Sequence, residues 1–364
     1  MSDNLKRYCA IHSALLQLYP TEPTGNLARH LKTLAALVCG IVGSKKVHLP
    51  AVAGKSPDKS RRESRAKRFA RFLQNQSITP GKYFAPFAQA LVASLPPGPL
   101  VLVMDGSQVG RGCMALMVSV LYQNRALPLC WQVVTAPKGH FAQDAHRELL
   151  ARARALVPPG RAVVFLGDGE FDGPDPLADA LAAGWHFVCR TAKNTRLAEA
   201  GWPEETFSLS ALALQPGDCV ELADHLFTAE GFGPVLVGAV WEPGHQEPLF
   251  LVTSLDFLFE ARLWYKKRFG IETFFSDQKS RGFYLCHSHL SQPERLSRLL
   301  MATSLAYYWM VCLGAEVVRR GWQSIVHRAK RCDLSLFQLG LVWLEHCLNE
   351  GLAIPVRLQV QATK

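Results

Sequence analysis

The chain has 364 residues, 49% of them hydrophobic, enough to bury a large core and to form two or three domains. Its net charge of +10 favours a polyanionic partner, nucleic acid or an anionic membrane surface, although many proteins are simply basic at the surface. Ten cysteines stand singly with no Cys-x-x-Cys pair, which sets aside a zinc ribbon and a disulfide framework.

Taken in chain order, residues 1 to about 93 read as helical, with apolar periodicity near 9–18 and 27–43. The start is polar and lacks the apolar core of a signal peptide. A basic helix is expected from Ser60 to Phe72, carrying Arg61, Arg62, Arg65, Lys67, Arg68 and Arg71. Phe69 and Leu73 give it an apolar side, so it can pack and still turn a cationic face to phosphates; the plainer reading is a solvated surface helix. Leu95-Pro96-Pro97-Gly98-Pro99 reads as a linker.

Strands follow: Leu100 to Met104, Cys113 to Tyr122 and Ala126 to Val134, with a turn at Gln123-Asn124-Arg125. A helix from about His146 to Leu156, a buried strand from Ala162 to Leu166, a short helix from Asp175 to Ala183 and a strand from His186 to Thr191 complete the series. This order predicts an α/β, ribonuclease-H-like domain with a five-stranded mixed sheet and flanking helices. Short strands at Val220–Leu222, Val235–Trp241 and Leu249–Thr253 predict a β-rich insertion. From Phe257 the pattern is helical almost to Leu352. The chain thus divides into a helical, basic region (1–94), the first part of the catalytic domain (95–202), the β-insertion (203–256), a helix returning to the catalytic domain (257–290) and a helical C-terminal region (291–364). The uncharged stretch from Leu299 to Ala315 contains Thr303, Ser304, Tyr307 and Tyr308 and is followed by Glu316. It reads as a buried helix rather than a membrane span, and the chain is expected in the cytosol.

Asp105 and Asp168 each end a buried strand. In the expected sheet those strands are parallel neighbours, and their carboxylates share the end where open α/β sheets place ligands. Each alone, as Asp105-Gly106 or Asp168-Gly169, is a good turn dipeptide. Two such carboxylates on adjacent strands point instead to a paired or metal-bound site. Tyr265, Arg268, Glu272 and Lys279 are spaced by three, four and seven. At about 100° per residue they fall within an arc of roughly 60° on one helix face. Trp264, Ile271, Phe274 and Phe275 form a neighbouring apolar arc. One stripe therefore combines a carboxylate with two cations and a phenol, suited to a metal ligand beside phosphate-gripping groups, although Arg268 and Glu272 could also be an ordinary ion pair. Gly270 weakens the continuity of this helix.

Tyr265-x2-Arg268-x3-Glu272-x6-Lys279 resembles, in residues and spacing, the Y-R-E-K signature of bacterial insertion-sequence transposases of the DDE superfamily. Asp168-Gly169-Glu170-Phe171-Asp172, Lys279-Ser280-Arg281-Gly282-Phe283, and Cys286 to Leu290 through Pro293-Glu294-Arg295 are similar to the same family, over roughly residues 60 to 315. The resemblance implies that Asp105, Asp168 and Glu272 form the catalytic and metal-binding triad. Such a site takes two Mg²⁺ ions, for which Mn²⁺ can substitute, and hard oxygen ligands suit them. It further implies cut-and-paste transposition through a DNA hairpin, acting on terminal inverted repeats and target DNA from a homodimer in the synaptic complex. Tyr265, Arg268 and Lys279 would contact DNA, as would Arg61, Arg62, Arg65 and Arg68. Trp241 is the candidate aromatic for stacking a displaced base.

Glu170 and Asp172 rival Asp168 for its position. Cys286, His287 and His289 lack a fourth ligand at suitable spacing and are expected to be structural. Arg319, Arg320, His327, Arg328, Lys330 and Arg331 form a second basic patch, either a DNA or dimer surface or merely solvated. A ribonuclease-H-like nuclease would share the triad but need neither the insertion nor the Y-R-E-K helix. A domesticated DNA-binding protein would be expected to lose a triad carboxylate, and a two-carboxylate glycosidase explains neither the charge nor the cationic stripe.

Overall fold

The computed structural model describes residues 1–19, 21–136, 141–328 and 333–356. Six helices come first: α1 (Asp3–Leu16), α2 (Gly25–Ser44), α3 (Leu49–Gly54), α4 (Arg62–Gln74), α5 (Pro80–Tyr83) and α6 (Ala85–Ser94). The mixed section runs β1 (Leu100–Gly110), β2 (Cys113–Tyr122), β3 (Arg125–Thr135), α7 (Gln143–Arg154), β4 (Val163–Gly167), α8 (Pro174–Ala182) and β5 (His186–Arg190). Five further strands follow: β6 (Arg196–Glu199), β7 (Trp202–Ser208), β8 (Cys219–Phe227), β9 (Phe232–Val240) and β10 (Leu249–Thr253). The chain then returns to helices α9 (Leu258–Lys266), α10 (Gly270–Lys279), α11 (Pro293–Arg319), α12 (Gln323–Val326) and α13 (Leu336–Asn349).

The expected mixed α/β architecture is found, but the sheet is larger than the five strands read from the sequence. All ten strands join one sheet in the order β3-β2-β1-β4-β5-β10-β9-β8-β6-β7. β1, β4 and β5 are parallel neighbours and every other pairing is antiparallel. The strands of the expected insertion therefore extend the sheet, through the antiparallel pairing of β10 with β5. β4 is buried along its whole length, as a short central parallel strand must be. The β2–β3 hairpin closes through Gln123 and Asn124, both with positive φ, the conformation of a two-residue turn that matches strand twist.

Adjacent residues of β3 show which helices cover which face. The indole of Trp131 donates to Ser297 Oγ of α11 at 3.0 Å, while the thiol of Cys130 donates to the Leu149 carbonyl of α7 at 3.7 Å. Because successive side chains of a strand point to opposite faces, α11 and α7 lie on opposite sides of the sheet. α2 and α11 are long and apolar enough by length and composition to cross a membrane, yet 78% of the apolar window of α11 is buried inside the fold. α11 packs on β3, α2 and α13, with Leu299, Met301, Tyr307 and Met310 fully enclosed. It also ties in the N-terminal helices: the buried guanidinium of Arg298 donates to the carbonyls of Ile78 at 2.8 Å and Leu73 at 3.0 Å.

Candidate active site

The β1–β4 register sets the site. Val103 lies opposite Leu166, so Asp105 and Asp168, two residues further along each strand, stand level at the same end of the sheet. β5 continues this: Gly167 lies opposite Cys189, which brings Arg190 level with Asp168. Local backbone bonds orient both carboxylates. Asp105 Oδ1 accepts from the Gly106 amide at 2.7 Å, and Asp168 Oδ1 from the Glu170 amide at 3.0 Å.

The third carboxylate arrives on α10. The single helix expected through Tyr265 and Lys279 is interrupted: α9 ends at Lys266, Lys267–Phe269 form a 3₁₀ turn, and α10 starts at Gly270. The turn sits where the helical segment crosses the β2–β3 hairpin, and a Cβ on Gly270 would stand 2.9 Å from Leu121 Cδ2 and 3.3 Å from the Asn124 carbonyl. Ile271 and Phe274 are fully buried beneath, leaving Glu272 on the outer side. Arg268, in the turn, donates to Glu272 Oε1 at 2.7 Å and to Asp105 Oδ2 at 3.4 Å, so one guanidinium joins two of the three carboxylates. Lys279 donates to the buried Ser107 hydroxyl at 2.6 Å, two residues beyond Asp105.

Burial, then the charge of Asp168, push the carboxyl of Asp105 up to about 6 against the opposing pull of Arg268. Burial works against the Arg268 cation, but Tyr265, Asp105, Asp168 and Glu272 together hold its pKa above the ordinary arginine value. Burial, with Asp168 nearby, also raises the Tyr265 phenol. Asp105 and Asp168, level at one end of the sheet with Glu272 beyond Arg268, offer only hard oxygen donors, and that chemistry fits a divalent cation. In the arrangement seen, Glu272 is turned to Arg268, and among the described residues no three His, Cys, Asp or Glu side chains converge on one point.

The rivals of Asp168 are engaged elsewhere. Glu170 Oε1 accepts from the Phe141 amide at 2.5 Å and lies 3.5 Å from His146 Nε2. Burial raises the Asp172 carboxyl, which interacts with Thr191. Beside Asp168 opens a cleft of about 600 Å³ lined by Arg190, Thr191, Lys193, Trp241 and Phe250. Trp241 directly follows β9, and its indole donates to the His245 carbonyl at 2.9 Å. Arg190 and Lys193 are cations of this cleft that sequence reasoning missed. The signal was available for Arg190, which ends the third parallel strand at the aspartates' end of the sheet.

The arginines of α4 are partly drawn inward. Arg62 donates to the Pro50 carbonyl at 2.8 Å, Arg65 to that of Ser56 at 2.6 Å, and Arg68 pairs with Asp58 at 2.5 Å. Arg61, Lys67 and Arg71 are exposed, and Phe69, Phe72 and Leu73 seat the helix. In the second basic patch Arg319 and Arg320 pair with Glu316, while Lys330 and Arg331 lie outside the described residues. The His289 ring packs edge-on against His48, the His287 ring stacks on Tyr284, and Cys286 is exposed.

Comparison with solved structures finds the piggyBac transposase synaptic complex with hairpin DNA at TM-score 0.48 and 12% identity, covering 95% of this chain and 78% of that chain. Ciona intestinalis Endonuclease V, in complex with a 24mer DNA containing an inosine followed by a ribo-adenosine, has TM-score 0.30 and 10% identity, covering 55% and 96%. Human ENDOV has TM-score 0.23 and 13% identity, covering 62% and 97%. No curated protein matches the chain. The family described as "Transposase DDE domain" matches residues 97–309, more than half of the sequence and the whole span from β1 to the middle of α11 that holds the three carboxylates. The chain therefore belongs to the transposase DDE domain family.

Proposed function

We propose that this protein cuts double-stranded DNA at the ends of a bacterial insertion sequence and joins those ends to target DNA, using Asp105, Asp168 and Glu272 as the catalytic triad. The observation that carries this is the register that stands Asp105 level with Asp168, with Arg268 linking Asp105 to the Glu272 of α10. In this reading β1 to β5 with α7 and α8 form the ribonuclease-H-like core, residues 203–256 the insertion, and the first 94 residues a DNA-binding region.

The three carboxylates would hold two Mg²⁺ ions, or Mn²⁺ in their place. When bound, such ions stabilise the attacking and leaving oxygens of an in-line displacement at phosphorus. Arg268 and Lys279 grip the phosphates beside the scissile bond, and Tyr265 contacts the backbone or sugar. A water oxygen bonds to phosphorus as the bond to the 3′-oxygen breaks, leaving a 3′-hydroxyl and a 5′-phosphate. That hydroxyl attacks a phosphate of the opposite strand, displacing the flanking strand's 3′-oxygen as a second 3′-hydroxyl and closing a hairpin, which a further water hydrolyses before transfer to the target. Trp241 stacks the base that a hairpin must expel, a role supported by its place in the cleft beside Asp168. Cutting both ends together calls for a homodimer in the synaptic complex, working at the nucleoid in the cytoplasm.

Labelled DNA spanning the borders of the surrounding element tests this. Cation-dependent cuts at the ends with a hairpin product support the full route. Binding without cleavage under every cation points to an inactive or domesticated copy, and absence of binding refutes the reading.

A further inference from the structure

Glu170 stands two residues beyond Asp168, yet its carboxylate serves another segment. Oε1 accepts from the Phe141 amide at 2.5 Å, and His146, 3% exposed, approaches the same oxygen at 3.5 Å through Nε2. The His146 ring is held in turn by an edge contact with Phe171, centroids 4.8 Å apart. Phe141 lies over Gly106: a Cβ there would stand 2.9 Å from Phe141 Cε2. The Gly106 amide is the donor that orients Asp105 Oδ1. A contact chain thus runs from Glu170 through Phe141 to the peptide that aims Asp105.

We propose that Glu170 is a positioning residue, latching Phe141 onto the Gly106 backbone so that the Asp105 carboxylate is fixed before a cation arrives. The inference rests on the reading of Asp105 as a ligand, and it explains why a carboxylate so near Asp168 faces Phe141. Outer contacts of this kind set ligand orientation, and their loss costs about 10–100-fold in metal affinity or activity.

The test uses the full chain with Glu170→Ala, Glu170→Gln and Gly106→Ala. In metal-free protein, hydrogen exchange at the Phe141 amide, read from overlapping peptides that begin several residues before it, reports the latch directly. Glu170→Ala speeds that exchange, whereas Glu170→Gln, which keeps an acceptor oxygen, does not. Glu170→Ala also raises the Mn²⁺ concentration for half-maximal cleavage by about tenfold or more, with DNA binding unchanged, and Glu170→Gln restores it. Gly106→Ala, which crowds the Phe141 ring while leaving Glu170 intact, reproduces the Mn²⁺ effect and serves if Glu170→Ala does not fold. Unchanged exchange in Glu170→Ala overturns the latch. So does a Glu170→Gln variant that exchanges slowly but needs as much Mn²⁺ as Glu170→Ala, because the charge itself would then be what matters. If the wild type cleaves no DNA, the reading of this copy as an active nuclease fails while the exchange experiment still decides the latch.

Discussion

Substituting Asp277 tests how the helix that carries Glu272 is anchored. Asp277 is 3% exposed on α10 and faces Arg125 of β3 at 3.4 Å. Burial outweighs the pull of Arg125 and Arg281 and pushes its carboxyl up to about 6. An unfolded aspartate titrates near 3.9, so the ionised group costs the folded state up to about 3 kcal/mol at neutral pH. Because the folded pKa is the higher, the stability it contributes is fully present below about pH 4 and is lost as pH rises through about 6. Asp277→Asn cannot titrate. Whatever offset the substitution brings by leaving Arg125 without a counter-charge, the wild type should lose about 2 kcal/mol relative to the variant between pH 4.5 and 8. Urea unfolding in half-unit pH steps measures this difference. For a cooperative unit of this size the same change amounts to about 2–3 °C in melting temperature. A constant difference across the range would refute the argument, because it would mean that Asp277 is as readily ionised folded as unfolded.

Three further outcomes follow from single contacts. Arg298→Met, which strands the carbonyls of Leu73 and Ile78, should destabilise by about 2–4 kcal/mol in urea titration; an unchanged midpoint would remove α11 as the tie to the N-terminal helices. Gly340→Ala places a Cβ against the Met310 carbonyl where α13 crosses α11 and should cost about 1–3 kcal/mol, read by calorimetry, whereas a neutral effect would show that the helices can separate freely. Trp241→Ala should leave the first nick near the wild-type rate but cut hairpin yield by about tenfold or more, and equal loss of both products on a sequencing gel would refute a stacking role.

Much of the fold was legible because β1, β2, β3 and β4 are apolar runs closed by polar or turn residues, and because Gln123-Asn124 is a good hairpin turn. β6 and β7 were not legible. β6, Arg196–Glu199, is only four residues long, while β7, Trp202–Ser208, is a mostly exposed edge strand in which Pro203, Glu204 and Glu205 carry none of the alternation of a half-buried strand. Nor could periodicity reveal that the insertion strands extend the main sheet, since pairing of β10 with β5 is a long-range contact. In the site, the spacing of Arg268 and Glu272 gave their mutual bond, but the reach of Arg268 to Asp105 depends on the 3₁₀ turn before Gly270. The capture of Arg62, Arg65 and Arg68 was hidden because it depends on how residues 50–58 fold back on α4.

The most direct measurement is end cleavage by Asp105→Asn, Asp168→Asn and Glu272→Gln, each compared with wild type on the same labelled DNA in Mg²⁺ and Mn²⁺. The account predicts that all three variants bind the DNA as the wild type does and that each loses cleavage by about a thousandfold or more. Wild-type cleavage by any one of them would contradict the triad.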